Sequence, residues 1–106
     1  MSELQIIHFL KISGMISDFR KREFENIIRD VCELFPDECL VKNLSAKVFA
    51  ADTYYFFSQW NTETALKKFI QSEEYQLIRT AYDVMGVLEK IEIGYHVEIK
   101  IIHIHH

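Results

Sequence analysis

The stretch from Thr53 to Gly86, TYYFFSQWNTETALKKFIQSEEYQLIRTAYDVMG, decides the fold. Its first eight residues are dominated by aromatics, which fit a pleated sheet. Asn61 or Thr62 then offers a helix cap, with Glu63 in the first turn where the helix dipole favours an acid. Ala65, Leu66, Phe69 and Ile70 form a buried stripe, Ser72-Glu73-Glu74 looks like a fresh cap, and Leu77, Ile78, Ala81, Tyr82 and Met85 continue the helical period. Gly86 is placed to end the helix. A strand running into a broken helix needs further strands to pair with, and both flanks supply them.

Upstream, Leu4 to Ser13 (LQIIHFLKIS) reads as a strand that Gly14 breaks. Ser17 and Asp18 are good N-cap types. Phe24, Ile27, Ile28, Val31 and Phe35 recur at helical spacing until Pro36, which forces the preceding residue out of the α region. Leu40 to Phe49 is a second strand, joined to Thr53–Trp60 through Ala50-Ala51-Asp52 as a hairpin turn. Downstream, about Lys90 to Ile104 forms a long strand in which Gly94 marks a bulge or bend. Tyr95, Val97, Ile99 and Ile101 share one face of it; His96, Glu98 and Lys100 share the other. The order β-α-β-β-α-β predicts an α+β, ferredoxin-like domain over residues 1–106: a four-stranded antiparallel sheet with its helices on one face.

The bulk numbers agree with one small domain. The chain has 106 residues, 49% of them hydrophobic, with only 3 Gly and 1 Pro, so no flexible linker is expected. A net charge of −4 argues against nucleic acid or an anionic membrane as partner. The one basic cluster, Arg20-Lys21-Arg22, is followed by Glu23 and Glu25 and reads as a solvated helix face. No apolar run approaches 18 residues. With no secretory leader in the pattern, Cys32 and Cys39 are expected to be reduced and the protein cytoplasmic.

Two strands are apolar on both faces. Leu4, Ile6, Leu10 and Ile12 oppose Ile7 and Phe9; Tyr54 and Phe56 oppose Tyr55 and Phe57. The helices cover one side of the sheet, so a second copy packed by two-fold symmetry is the expected cover for the other. The long last strand is also expected to reach the partner's edge.

The run Tyr55 to Tyr75 resembles the antibiotic-biosynthesis-monooxygenase-like family of dimeric α/β barrels. There an aromatic third strand ends in Trp, an Ala-Leu pair follows five and six residues on, then a Ser and an aromatic. These are Trp60, Ala65, Leu66, Ser72 and Tyr75 here. The resemblance implies a homodimer, a pocket between sheet and helices, and cofactor-independent oxygenation of a small aromatic or quinol molecule. It equally allows a non-catalytic ligand binder or structural dimer. Family members often carry His nine residues after the Trp, where this chain has Phe69. The haem-degrading branch uses a strand-one Asn, a Trp and a His, where this chain has Ile7 or His8, Phe69 and Arg79. Arg79 keeps its proton and cannot serve as an axial ligand, so haem is not expected, nor any other cofactor.

Candidate site residues follow. His8 is the base candidate, since imidazole transfers protons near neutrality. Arg79 would stabilise an anion, unless it simply pairs with Glu74 or Asp83. Trp60, Phe69, Tyr75, Tyr82 and His96 would line the pocket, although aromatics at these spacings also suit a core. His103, His105 and His106 invite a metal reading, but no Cys, Asp or Glu set accompanies them, and none is expected to bind. No Gly-rich phosphate loop is present.

Overall fold

The computed structural model describes residues 2–47 and 50–101. The elements run β1 (Ser2–Ile16), a 3-10 turn (Asp18–Arg20), α1 (Lys21–Cys32), β2 (Cys39–Lys47), β3 (Ala50–Trp60), α2 (Glu63–Ile70), α3 (Glu73–Met85) and β4 (Gly86–Ile101). The sheet is antiparallel in the order β2-β3-β1-β4. This is the ferredoxin-like arrangement the sequence predicts, with its second helix divided in two.

That division has a local cause. Thr62 Oγ1 accepts from the Ala65 amide at 3.1 Å and caps α2. Ser72 Oγ accepts from the Tyr75 amide at 3.3 Å and donates to the Phe69 carbonyl at 2.6 Å, so one hydroxyl closes α2 and opens α3. At α1 the expected Ser17 or Asp18 cap is not formed. Asp18 is held instead by Lys21 at 2.6 Å, and the same ammonium reaches Asp52 at 2.7 Å. A 3-10 turn, stitched by the Arg20 amide to the Ser17 carbonyl, leads into the helix.

The core lies between the sheet and the helices. Leu10, Ile12, Ile16, Tyr54, Phe56 and Trp60 meet Phe24, Ile28, Val31, Leu66, Phe69, Tyr75, Ile78 and Tyr82, all buried. Phe35 lies beyond the end of α1, in the turn before Pro36, yet stacks on Trp60 at 6.0 Å and packs tilted against Phe69 at 4.7 Å. The Tyr82 hydroxyl donates to the Tyr54 carbonyl at 3.1 Å and ties α3 to the sheet.

All three glycine readings change in detail. Gly14 does not end β1, which continues to Ile16 through an irregularity at Ser13/Gly14. Gly86 both ends α3 and begins β4, four residues earlier than the periodicity suggests. A Cβ there would stand 1.8 Å from the Met15 carbonyl oxygen, so only glycine lets the strands pair at once. Gly94 sits in regular pairing opposite Phe9, with no bulge. Its missing side chain makes room for the Phe9 ring, whose Cζ lies 2.9 Å from where a Cβ would be. Ala50 to Asp52 belong to β3 rather than to a turn. Residues 48 and 49, and the tail with His103, His105 and His106, fall outside the described residues.

On the face away from the helices, Phe9, Tyr55 and Phe57 are half-buried rather than exposed. Phe9 stacks on Phe57 at 6.3 Å, and Lys11 Nζ lies 5.3 Å over the Tyr55 ring. The aromatics partly cover one another.

Candidate functional site

β1, α2 and β4 meet at a cleft of about 370 Å³ lined by His8, Glu63, Leu66, Lys67, Ile70, Ile93, Gly94 and Tyr95. Each element contributes through its own periodicity. His8 lies at the end of the β1–β3 pairing, opposite Trp60, and opposite Tyr95 on β4. It therefore shares the helix-side face with Leu10 and Ile12, one step beyond the filled core. Glu63, Leu66, Lys67 and Ile70 are the i, i+3, i+4, i+7 positions of α2, a single helical face turned to the cleft.

The polar groups sit at the rim and the apolar ones form the walls. The His8 and Tyr95 rings are 6.3 Å apart and tilted by 53°. Glu63 pairs with Lys67 at 3.0 Å, and that ammonium holds its carboxyl below the usual range, with a smaller contribution from His8. An imidazole near a carboxylate, an ammonium and a phenol, beside Leu66, Ile70 and Ile93, is equipped to bind a small planar molecule with an ionisable hydroxyl. Among the described residues no side-chain hydrogen bond reaches His8.

The structure separates the other sequence candidates from His8. Trp60 is fully buried, donates its indole N–H to Ser58 Oγ at 2.9 Å and packs on Phe69 at 4.7 Å. Tyr75 packs edge-on to Phe69 at 5.8 Å. Tyr82 is fully buried among Phe24, Tyr54 and Ile12. These three, and Phe69 on its inner side, are core, not walls of the His8 cleft. The physical reason is that the split helix drives its aromatic stripe straight into the sheet. His96 pairs with Ile7 and so faces the opposite side of the sheet, where it meets Glu98 at 3.0 Å and Phe9 at 6.3 Å. It cannot share a pocket with His8.

Arg79 does not line the cleft either. Its guanidinium lies 5.9 Å over the Tyr75 ring, a cation–π contact in place of the expected acid partner, and its Nε is buried with no hydrogen-bond partner among the described residues. Phe69 also borders a second groove, of about 320 Å³, with Leu34, Pro36, Glu38, Lys68 and Glu74. That groove is lined by no histidine. Sequence reasoning missed Glu63, Lys67 and Tyr95. The α2 face pattern and the alternation of β4 would have found them once His8 was paired with Tyr95.

Among the described residues no cluster of three or more potential metal ligands occurs, and no helix is long and apolar enough to cross a membrane.

This arrangement of sheet, split helix and cleft defines a ferredoxin-like α+β class. Solved structures share the fold across most of the chain. A putative antibiotic biosynthesis monooxygenase from Deinococcus radiodurans superposes with a TM-score of 0.69 at 12% identity, covering 96% of this chain and 100% of its own. One of the same description from Caulobacter crescentus gives 0.70 at 17% identity, covering 87% and 89%. A conserved protein from Methanosarcina mazei gives 0.69 at 15%, covering 91% and 92%. At these identities the likeness establishes the fold. No family model and no curated protein matches the chain.

The residues behind the sequence resemblance now have an architectural explanation. Trp60 closes the sheet against Phe69, Leu66 is buried under α2, Ser72 joins the two helices, and Tyr75 packs on Phe69. They build the joint between β3 and α3.

Proposed function

We propose that the chain is a monooxygenase-like protein that binds a small hydroxylated aromatic in the His8 cleft and promotes its cofactor-independent oxygenation. The observation that carries this reading is the placement of His8 against an apolar wall with Glu63 and Tyr95 beside it. His8 takes the phenolic proton, and the electron-rich anion reacts with molecular oxygen. For a phenol oxidised to a quinone, one oxygen atom enters the ring as a carbonyl and the other leaves as water. The substrate supplies all four electrons, and no cofactor is required.

We further propose that it works as a homodimer in which the sheet faces carrying Phe9, Tyr55 and Phe57 meet. Covering half-buried aromatics on both copies with one symmetric contact supports this.

The test is oxygen uptake with a panel of hydroquinones and naphthols, comparing the wild type with His8→Ala. Uptake above buffer that falls by about 100-fold or more in His8→Ala is expected. No uptake across the panel removes the enzymatic reading. Saturable binding of the same compounds in that case favours the second reading, a non-catalytic binder. The His8 ring, which no side-chain hydrogen bond among the described residues orients, is the feature that speaks for it.

A further inference from the structure

The rim of the His8 cleft carries two charged side chains of opposite sign. Among the described residues that line it, Lys67 is the one permanent cation and Glu63 the one carboxylate. Helix α2 places them one turn apart, at i and i+4, so both reach the same rim. The next residue, Lys68, is turned about 100° away and borders the other groove with Phe69 and Glu74. Lys67 Nζ holds Glu63 Oε1 at 3.0 Å, and the two side chains are 71% and 62% exposed. An exposed pair of this kind adds little to stability, so the ammonium is free to exchange it for another anion. The cleft thus presents a cation already set to hold a carboxylate, and only a loose internal partner occupies it.

The remaining lining is sorted by element. From α2 come the buried Leu66 and the half-buried Ile70, and β4 adds Ile93. His8 and Tyr95 stand on the strand side, paired across β1 and β4, whereas Lys67 comes from the helix side. A flat molecule lying between strands and helix meets a proton acceptor along one edge and an ammonium along another. A simple phenol would use the first and leave the second paired with Glu63.

We propose that the ligand of this cleft is a hydroxylated aromatic carboxylic acid, whose carboxylate displaces Glu63 from Lys67 while its hydroxyl lies at His8. That the cleft is a ligand site rests on the function proposed above; the choice of an acid rests on Lys67. One ammonium balances one negative charge, which a carboxylate supplies. A phosphate ester carries close to two and calls for a fork of donors, while the cleft lining offers no arginine and keeps the Glu63 carboxylate close by. Displaced Glu63 is not stranded, because it is exposed and returns to water. The ligand carboxylate takes no part in the oxygenation. It fixes which way round the ring enters, so that the hydroxyl and not a bare edge reaches the imidazole. Lys67 is in this sense a specificity-determining residue.

The experiment measures dissociation constants by calorimetry at neutral pH for 6-hydroxy-2-naphthoic acid and for 2-naphthol, which lacks the carboxyl. It compares the wild type with Lys67→Gln, Lys67→Arg, Glu63→Gln and Lys68→Gln. Every substitution falls on an exposed side chain, and circular dichroism checks that the fold is kept. The wild type should bind the hydroxy acid at least about tenfold more tightly than 2-naphthol, the size of one charge-assisted contact at a rim. Lys67→Gln should bring that ratio to about one, and Lys67→Arg should keep most of it. Lys68→Gln removes the same charge from another side of α2 and should leave the ratio as in the wild type. Glu63→Gln should tighten the hydroxy acid by about two- to threefold, because no internal carboxylate then competes. The wild-type preference should also shrink as salt is raised, as an exposed ion pair requires. Equal binding of the two compounds by the wild type, or a preference that survives Lys67→Gln, would overturn the inference and leave the proposed function standing. Binding of neither compound would remove both. The expected pattern without oxygen uptake would support the inference and remove only the catalytic reading.

Discussion

Tyr54 is nearly buried under α1, and its hydroxyl donates to the Glu25 carboxylate. Burial first, and then the neighbouring carboxylate, push its phenol up to about 12. The folded state thus holds this proton more tightly than the unfolded chain does. The contribution is fully present below the ordinary value of 10, and is lost as pH rises through about 12. The urea midpoint of the wild type should accordingly fall more steeply between pH 10 and 12 than that of Tyr54→Phe. Parallel curves would contradict it. A second residue-scale expectation concerns the thiols. Burial raises Cys32 and pushes Cys39 up to about 11, and Lys42 offsets this only in part. Iodoacetamide at pH 8 should alkylate both at least about tenfold more slowly in the folded protein than in urea.

At the scale of elements, the joint between α3 and β4 has the least room. A side chain at Gly86 would collide with the backbone of Met15, which cannot move without unpairing β1 from β4. At Gly94 the obstacle is the tip of the Phe9 ring, which can swing away. Gly86→Ala should therefore cost more stability than Gly94→Ala, by about 2 kcal/mol or more in denaturant unfolding. Equal costs would show that the close approach at Gly86 is not what the sequence protects. The same pair shows how far elements were legible. Their number, order and type could be read because periods of two and 3.6 residues are local. The exact ends of β1 and β4 could not, because they depend on one strand meeting another without a loop. The site was less legible still. His8 was recognisable as an imidazole in an apolar strand, but Trp60, Tyr75 and Tyr82 carry the same pattern whether they wall a pocket or fill a core. Only the register separates His8 and Tyr95 on one face from His96 on the other.

At the scale of the whole molecule, a sheet of four strands supports a ribbon longer than itself. The core accounts for β3 and the central part of β1, where Leu10, Ile12, Phe56 and Trp60 are buried. It does not account for Leu4, Ile6, Val97 and Ile99, whose alternation continues past the last helix as strictly as before it. If a second copy covers that ribbon, folding and association are linked, and thermal stability depends on protein concentration. A 100-fold rise in concentration favours the dimer by about 2.7 kcal/mol. Spread over the unfolding entropy of two such chains, that raises the midpoint by roughly 6 °C. Ile99→Lys should flatten this dependence without lowering the midpoint of the dilute protein, because Ile99 is outside the core. A wild-type midpoint that does not move with concentration would mean that the ribbon stands uncovered.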